Sequence, residues 1–286
     1  MLDVQYRMHP SISRFPSSEF YNFALRDGTV DSNGEPLLGL MPPMSSHLQN
    51  DSATGKKPSI VFLDHAGPES PKDRSRVNHM EAEIVVSVVV DLLSQNEVHC
   101  DSCIPLNVHS RKGLIAQNLR GEDIGIIAPY VGQVSLLKRM FEVETNIKNR
   151  DSFEEKLGSH RMLQLKDIEI KTVDGFEGRE KEVIIFSTVR NNAGGYIGFL
   201  ADRRRLNVGL TRAKRGLFVV GSMSTLKMGK MSHWTTGDGQ TFARVGKGAQ
   251  AWRRYAEFLI QEKMVIQVDG HGKVSKPHPK LVPMEV

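Results

Sequence analysis

Short apolar runs rich in β-branched residues alternate along the chain with segments in which apolar residues recur every three or four positions. The runs that predict strands are residues 59–64, 123–128, 168–173, 183–189 and 216–221. Strands separated by helix-length segments are typical of a mostly parallel sheet. The pattern therefore predicts an α/β fold built on such a sheet.

Three segments show the spacing or the length of helices. Residues 78–95 are rich in valine, which favours a strand, but their length and the acidic residues Glu81 and Glu83 near the start favour a helix. Apolar residues also recur at helical spacing in 134–141 and in 252–259. We interpret the three apolar stripes as the core-packing faces of helices.

Other segments lack a clear hydrophobic period, and we use them to place the expected loops and domain boundaries. Residues 28–57, with their Pro, Ser, Gly and Asn content, and the charged residues 145–165 are expected to be insertions or loops. We expect a main domain over 1–228 and a C-terminal helical extension over 229–268. The tail 269–286 combines prolines with few large apolar residues, which predicts disorder.

Composition narrows the class of partner and the compartment. The formal net charge of +5 permits an anionic partner such as nucleic acid without requiring one. Two cysteines among 286 residues cannot form a disulfide framework, so we expect a reducing, intracellular setting, cytoplasmic or nuclear. Cys100 and Cys103 lie near His99, but no second ligand pair stands at zinc spacing, and we assign no metal site.

The apolar runs do not predict a membrane protein. No basic segment followed by an apolar core opens the sequence. The strongest apolar run, residues 84–93, is shorter than the roughly 20 apolar residues that cross a bilayer. We therefore expect a soluble protein without a membrane partner.

Candidate chemistry begins at a glycine-containing turn between the apolar runs 168–173 and 183–189, with a basic stretch at 203–214. Such a turn brings backbone N–H groups near a bound phosphate, and arginines beside it neutralise charge that develops there. The basic cluster 203–205 admits two interpretations. Asp202 is expected to cap the following helix, which leaves the cluster as an exposed basic face. That face is either only solvated or, because the neighbouring motif lies close, near phosphate or nucleic acid.

The other half of a phosphoryl-transfer site is missing from this sequence. A common nucleoside triphosphatase needs a glycine-lysine pair followed by Ser or Thr, then an acid at a strand end that holds Mg²⁺. The glycine-lysine pairs of this chain, which begin at Gly55, Gly229, Gly246 and Gly272, are followed by Lys, Met, Gly and Val. Asp64 ends an apolar run, but without a phosphate cradle upstream we do not assign it a metal role.

Four motifs occur in an order that identifies a family resemblance. They are residues 2–10 (LDVQYRMHP), 127–133 (IAPYVGQ), 172–180 (TVDGFEGRE) and 206–214 (LNVGLTRAK). Their order and spacing resemble the superfamily 1B helicases, most closely the branch of the nonsense-mediated-decay helicase and senataxin, over residues 1–225. In that family two RecA-like domains clamp ATP, and the phosphate cradle and Mg²⁺ acid belong to the first.

The resemblance implies that this chain is the second RecA-like domain, a mostly parallel sheet with helices on both faces and loop insertions, and that it begins at the junction between the domains. At the nucleotide, it implies that Arg7 and Arg212 are arginine fingers that reach the γ-phosphate. Tyr6 corresponds to a residue near the adenine, and Gly178 and Glu180 to the nucleotide-facing part of a motif, with Glu180 near the ribose and phosphates.

The resemblance also implies a set of residues at the nucleic acid. Thr172 matches a residue that grips the phosphodiester, a contact that positions a strand without reading its sequence. Pro129, Tyr130 and Gln133 match a motif near the strand, and Arg190 follows the turn as a further strand or coupling residue. Tyr130 alternatively packs in the core.

Two residues depart from the family pattern. Glu177 stands where glutamine is usual, which places a carboxylate near bound phosphates and weakens contact with them. Gly209 stands where alanine is common, at a cost in helix propensity of about 1 kcal/mol. Neither change removes an expected finger.

The resemblance therefore implies the C-terminal half of an ATP-dependent 5′-to-3′ RNA or DNA helicase or translocase. Its cofactor would be ATP with Mg²⁺, held mainly by the first domain, and its partners would be single-stranded RNA or DNA and that first domain, in cis or in trans. The chain alone is expected to be inactive. Two alternatives stay open: a non-enzymatic module that binds nucleic acid or protein, and a regulator that completes another protein's nucleotide site.

Overall fold

The computed structural model describes residues 3–50, 55–96, 119–235 and 241–274. Its strands are β1 (Val4–Gln5), β2 (Arg26–Asp27), β3 (Ile60–Asp64), β4 (Ser70–Lys72), β5 (Ser75–Val77), β6 (Ile124–Ala128), β7 (Glu169–Thr172), β8 (Lys181–Ser187), β9 (Ala213–Gly221), β10 (Ser232–Thr235), β11 (Thr241–Arg244) and β12 (Val265–Gln267). Its helices are α1 (Pro10–Tyr21), α2 (His79–Gln95), α3 (Val131–Met140), α4 (Ile147–Met162), α5 (Arg203–Leu210), α6 (Met223–Met228) and α7 (Lys247–Gln261).

Six of these strands form the central sheet, in the order β12-β3-β9-β8-β6-β7, and every neighbouring pair is parallel. The strands predicted at 59–64, 123–128, 168–173, 183–189 and 216–221 are confirmed as β3, β6, β7, β8 and β9. The connections between parallel strands place helices on the two faces of the sheet, so both faces are buried. The predicted RecA-like α/β fold is confirmed.

Helices cover both faces of the sheet, and alternate strand residues point to opposite faces. Ile126 and Ile185 belong to the core that contains residues of α2, α3 and α4. Their neighbours Ile127 and Ile184 belong to the core that contains residues of α1, α5 and α7. The valine-rich segment is the helix α2, as predicted, and the Asn78 side chain caps it.

The C-terminal segment is part of this architecture. Trp252 of α7 is fully buried, and its Nε1 donates a hydrogen bond to the Leu200 carbonyl oxygen (2.7 Å). Strand β12 pairs with β3 and so completes the sheet. Asp64 accepts hydrogen bonds from Met223 N (2.8 Å) and Gln267 Nε2 (2.6 Å). Residues 229–268, expected as an extension, therefore share the core and the sheet of the main domain.

The structure corrects one predicted loop and leaves other expectations outside its described residues. Within 145–165, helix α4 spans Ile147–Met162 and buries Phe153 and Leu157. Residues 269–274 form a turn, whereas 275–286 and the pair Cys100 and Cys103 lie outside the described ranges. Among the described helices, none has both the length and the apolarity that a membrane span requires.

Candidate functional site

The candidate residues divide between two edges of the central sheet. Thr172 is level with Ala128 at the C-terminal end of β6, whereas Val183 is level with Ile124 at the N-terminal end of the same strand. Four residues of β6 separate these levels, which is about 13 Å at a rise of roughly 3.3 Å per residue. Residues 173–180 therefore cross from one edge of the sheet to the other.

The loop that carries Arg7 is held firmly at the N-terminal edge. The buried Gln5 side chain accepts hydrogen bonds through Oε1 from Arg7 N (2.9 Å) and Met8 N (2.7 Å). His9 N donates to the Lys214 carbonyl oxygen at 2.7 Å. These bonds fix the backbone around Arg7 against the start of β9.

Arg7 and Arg212 meet around one residue, Thr211. Arg7 Nη1 donates to the Thr211 carbonyl oxygen (3.0 Å), and Arg7 Nε donates to Glu180 Oε2 (2.5 Å). Arg212 Nη2 donates to Thr211 Oγ1 (3.0 Å). The structure thus brings both arginines and Glu180 together, although more than 170 residues separate Arg7 from the other two.

The charges at this edge affect one another. The hydrogen bond from Arg7, aided by Lys214, holds the pKa of the Glu180 carboxyl below its usual range. Burial and the neighbouring charge of Arg7 lower the pKa of the Arg212 guanidinium. Two adjacent guanidinium groups, one partly buried, form a site that a bound polyanion would stabilise.

Tyr6 and Gly178 add an aromatic face and a turn. The Tyr6 side chain is 77% exposed, and a Cβ atom on Gly28 would lie 2.2 Å from its Cε1 atom, so the ring lies directly over Gly28. Gly178 has φ of +77°, in the left-handed region that favours glycine, and open space surrounds the position of its missing Cβ. This turn directs the backbone into Arg179 and Glu180.

A groove lies at the opposite, C-terminal edge of the sheet. The hairpin of β4 and β5, the start of α3 and the end of β7 form its walls. Its lining includes Lys72, Arg74, Pro129, Thr172, Phe199 and Arg205. Thr172 Oγ1 accepts a hydrogen bond from Gly175 N at 3.2 Å, which orders the turn after β7.

Arg190 and Tyr130 are buried: Tyr130 lines this groove, and Arg190 lines the neighbouring pocket that also contains Phe199. Arg190 is 6% exposed, and its Nε donates to Glu69 Oε2 (2.7 Å). Its Nη1 donates to the hydroxyl oxygen of Tyr130 (3.0 Å), and Tyr130 is 4% exposed. The burial of Tyr130 agrees with the packing alternative, and in this conformation the Arg190 guanidinium contacts Glu69 and Tyr130.

The expectation that Gln133 contacts nucleic acid is corrected in a similar way. The side chain is fully buried, its Oε1 accepts from Asn78 N (2.9 Å), and its Nε2 donates to the Asn78 carbonyl oxygen (3.1 Å) and Ser187 Oγ (3.2 Å). Its amide is committed to these partners. Gln133 ties α3 to α2 and β8 and does not reach a bound strand in this conformation.

The basic cluster 203–205 does not form one face. Asp202 caps α5 by accepting a hydrogen bond from Arg204 N at 2.9 Å, as expected. Arg203 turns towards Glu19, whereas Arg205 forms a two-fold pair with Asp174 at 2.8 and 2.9 Å. Successive helix positions point about 100° apart. Only Arg205 of the three lines the groove.

Sequence reasoning missed the hairpin cations Lys72 and Arg74 and the exposed ring of Phe199. None of them lies in a motif or a periodic run, and the Pro-Lys-Asp-Arg-Ser turn at 71–75 was the available signal. Gly209 also has a packing reason, since a Cβ there would lie 2.5 Å from Phe186 Cε1.

Comparisons with known proteins point to one kind of relative. A family model described as an AAA domain, AAA_12, matches residues 1–224. The chain is 36% identical over 234 residues to DNA polymerase alpha-associated DNA helicase A of Saccharomyces cerevisiae, covering 79% of the chain and 28% of that protein. Helicase sen1 of Schizosaccharomyces pombe is 34% identical over 227 residues, covering 79% of the chain and 11% of that protein.

A third relative is the regulator of nonsense transcripts 1 homolog of Drosophila melanogaster. It is 33% identical over 227 residues, covering 79% of the chain and 15% of that protein. The chain therefore spans less than a third of the length of each of these three relatives. The matched region contains all four motifs.

Proposed function

The chain belongs to the superfamily 1B helicases, in the branch of the nonsense-mediated-decay and senataxin-type enzymes, and from this membership we propose that it serves as their second RecA-like domain. It supplies Arg7 and Arg212 to an ATP molecule held chiefly by a first domain, with Mg²⁺, and it forms half of the groove for single-stranded RNA or DNA. Hydrolysis in the cleft then drives 5′-to-3′ movement along the strand.

One observation carries the proposal: Arg7 and Arg212 share contacts with Thr211 at the N-terminal edge of the sheet. Two cations that converge from distant parts of the chain suit the charge that develops on a transferred γ-phosphoryl group. Here Glu180 is the carboxylate nearest to Arg7, and Arg212 donates to carbonyl and hydroxyl oxygens.

Glu180 supports the nucleotide role in a second way. It pairs with Arg7 and, at 3.3 Å, with Lys214, which offsets part of the positive charge at this edge. Both partners are partly exposed, and pairs of this kind contribute only about 0–1 kcal/mol. Arg7 therefore exchanges this partner for a phosphate at little cost.

The opposite edge supports a strand-binding role. Lys72, Arg74 and Arg205 provide cations there, and Arg205 is paired with Asp174. Cations along a groove bind phosphates without reading sequence. ATP closes the cleft between the domains and hydrolysis reopens it, so the grip on the strand alternates and the domain advances.

The test measures ATP hydrolysis with and without poly-RNA or single-stranded DNA. The chain alone should show negligible turnover, whereas the chain joined to its natural upstream sequence should show turnover that nucleic acid stimulates. In the joined protein, Arg212→Ala and Arg7→Ala should each lower kcat by roughly 10³-fold or more, since each removes a cation from the developing charge.

Arg14→Ala is the matched control, because Arg14 is exposed and pairs with Glu262, away from Thr211. It should leave turnover unchanged. If Arg212→Ala leaves kcat unchanged as well, the finger assignment is wrong. If the joined protein binds single strands but never hydrolyses ATP, the non-enzymatic module is the better description.

Direction and strand type need a separate measurement. Unwinding of duplexes with either a 5′ or a 3′ single-stranded overhang, each made in RNA and in DNA, reports both properties. We expect unwinding from the 5′ overhang. Preferential unwinding from the 3′ overhang would refute the proposed direction without affecting the finger assignment.

A further inference from the structure

Phe199 is an exposed aromatic residue that the proposed catalytic machinery does not use. Its side chain is 56% exposed, and it lines the groove at the C-terminal edge together with Lys72, Arg74 and Thr172. We propose that Phe199 is a stacking platform for one base of the single strand. The inference rests on the proposed function, because it assumes that a strand occupies this groove.

The ring is held by a rigid, buried support. Phe199 N donates a hydrogen bond to the Tyr130 hydroxyl oxygen (3.3 Å), and the two rings lie 5.3 Å apart at an interplanar angle of 57°. The same hydroxyl accepts from Arg190 (3.0 Å), which pairs with Glu69. Preorganised aromatic side chains lose little conformational entropy when they bind a ligand.

Gly198 makes this close support possible. Its φ is +53°, and a Cβ atom there would lie 2.2 Å from Arg190 Nη1 and 2.6 Å from the Tyr130 hydroxyl oxygen. Glycine thus allows the backbone to approach the buried pair and presents the next side chain outward. The backbone at residues 198 and 199 packs against Arg190 and Tyr130, and the Phe199 ring projects from this packed backbone into solvent.

The surroundings of the ring identify the occupant. The Arg205 guanidinium lies 5.8 Å from the centre of the Phe199 ring, and Lys72 and Arg74 line the same groove. Asp73 and Asp174 line the groove as well, and Asp174 pairs with Arg205. An aromatic face beside cations suits a base and its phosphates, since every base has a π-face and the cations track the backbone. Lysine and aspartate, which line this groove as Lys72, Asp73 and Asp174, are instead depleted in protein-docking surfaces.

The test uses the full 286-residue chain, a fluorescently labelled single-stranded oligonucleotide and anisotropy at several salt concentrations. Phe199→Ala and Phe199→Leu should weaken binding by roughly 5- to 150-fold, the effect of losing one stacked base. Phe199→Trp should retain affinity, since it keeps an aromatic face. Loss of stacking should leave the slope of log K against log salt unchanged, whereas Arg74→Ala should reduce that slope by about 0.7.

A second measurement reports stacking directly. The fluorescence of an oligonucleotide that contains 2-aminopurine is quenched when that base stacks, so wild type and Phe199→Trp should quench it and Phe199→Ala should not. Phe23→Ala is the matched control, because Phe23 is 76% exposed and does not line the groove. Circular dichroism of each variant verifies that it is folded.

The outcomes separate this inference from the proposed function. If wild type binds the strand and Phe199→Ala binds equally well with equal quenching, the stacking role is wrong and the strand-binding groove stands. If wild type binds no single strand, both are wrong. If Phe199→Ala leaves strand binding intact but abolishes association with the first domain, the ring is a protein-docking residue and the inference is overturned.

Discussion

Replacement of Glu81 by glutamine should destabilise the protein far more than its isosteric shape suggests. Glu81 lies in the first turn of α2 and is fully buried. Its Oε2 atom accepts hydrogen bonds from Ser187 Oγ (2.6 Å) and Val189 N (2.7 Å). Its Oε1 atom lies 3.2 Å from His65 Nε2. The carboxylate thus connects the start of α2 with the ends of β3 and β8.

The partners of this carboxylate include fixed donors on both oxygens. Val189 N–H can only donate. His65 Nδ1 accepts a hydrogen bond from Gly67 N (3.0 Å), so the ring proton is on Nε2 and points at Glu81. A glutamine amide therefore places its NH₂ group against a donor in either orientation. If the His65 proton were on Nδ1 instead, that N–H would face the Gly67 N–H, and two donors would again oppose each other.

The expected cost follows from these contacts. The substitution loses a charge-assisted hydrogen bond, of about 1.5–3 kcal/mol, and leaves a buried donor unpaired, at about 1–3 kcal/mol. The sum is about 2.5–6 kcal/mol, against a total stability of about 5–15 kcal/mol for a typical domain. Val189 has φ of +70°, which is strained for a β-branched residue, and its bond to Glu81 helps to hold it there.

Urea unfolding measures this cost through the midpoint and the slope of the transition. Glu83→Gln is the matched control, because Glu83 is an exposed acid in the same helix turn and should change the unfolding free energy by no more than about 0.5 kcal/mol. A loss of less than about 1 kcal/mol in Glu81→Gln would refute the donor-conflict reasoning.

Three further results are expected. Burial lowers the pKa of His47, but the hydrogen bonds to Asp91 and to the Gly272 carbonyl oxygen and the charge of Asp91 together outweigh it and raise the pKa above its usual value of 6.5. The stability that His47 contributes is therefore complete below pH 6.5 and is lost as pH rises through the raised pKa. His47→Gln should reduce the difference between urea midpoints measured at pH 6 and pH 8. Gly198→Ala should destabilise more than Gly34→Ala, whose φ is also positive but whose Cβ meets open space, in the same unfolding assay. Trp252→Ala should cost about 3–5 kcal/mol, and a small effect would show that α7 is dispensable.

The central strands could be predicted from the sequence because each is a short apolar run rich in β-branched residues, which is stable only when it is buried in a sheet. Helix α4 was missed because few apolar residues, such as Phe153 and Leu157, mark its buried face among many charges. Strand β12 was missed because its three residues are too few to show a pattern. The burial of Gln133 was equally hidden, since a polar residue reveals its partners only when the fold brings Asn78 and Ser187 to it.

The candidate site likewise contains residues that the sequence predicted and residues that only the structure revealed. The motifs named Arg7 and Arg212, and their convergence at Thr211 followed from the topology of β9 and the loop after β1. The groove at the other edge was visible only in part. Lys72 and Phe199 become neighbours through the packing of a hairpin and a loop that no periodic pattern links.

The two ends of one motif lie at opposite edges of the sheet, and the connection between them is short. Thr172 ends β7 at the groove, whereas Glu180 lies beside Arg7, and only residues 173–179 separate them. Fully buried Phe176 anchors this segment, and Lys181 N donates to the Arg212 carbonyl oxygen (3.0 Å). Under the proposed function, Arg7 exchanges Glu180 for a phosphate at one end of this segment, and Thr172 contacts the strand at the other end. The segment therefore couples the nucleotide site to the strand. If this coupling exists, nucleic acid stimulates ATP hydrolysis in the joined protein, and equal hydrolysis with and without nucleic acid would contradict it.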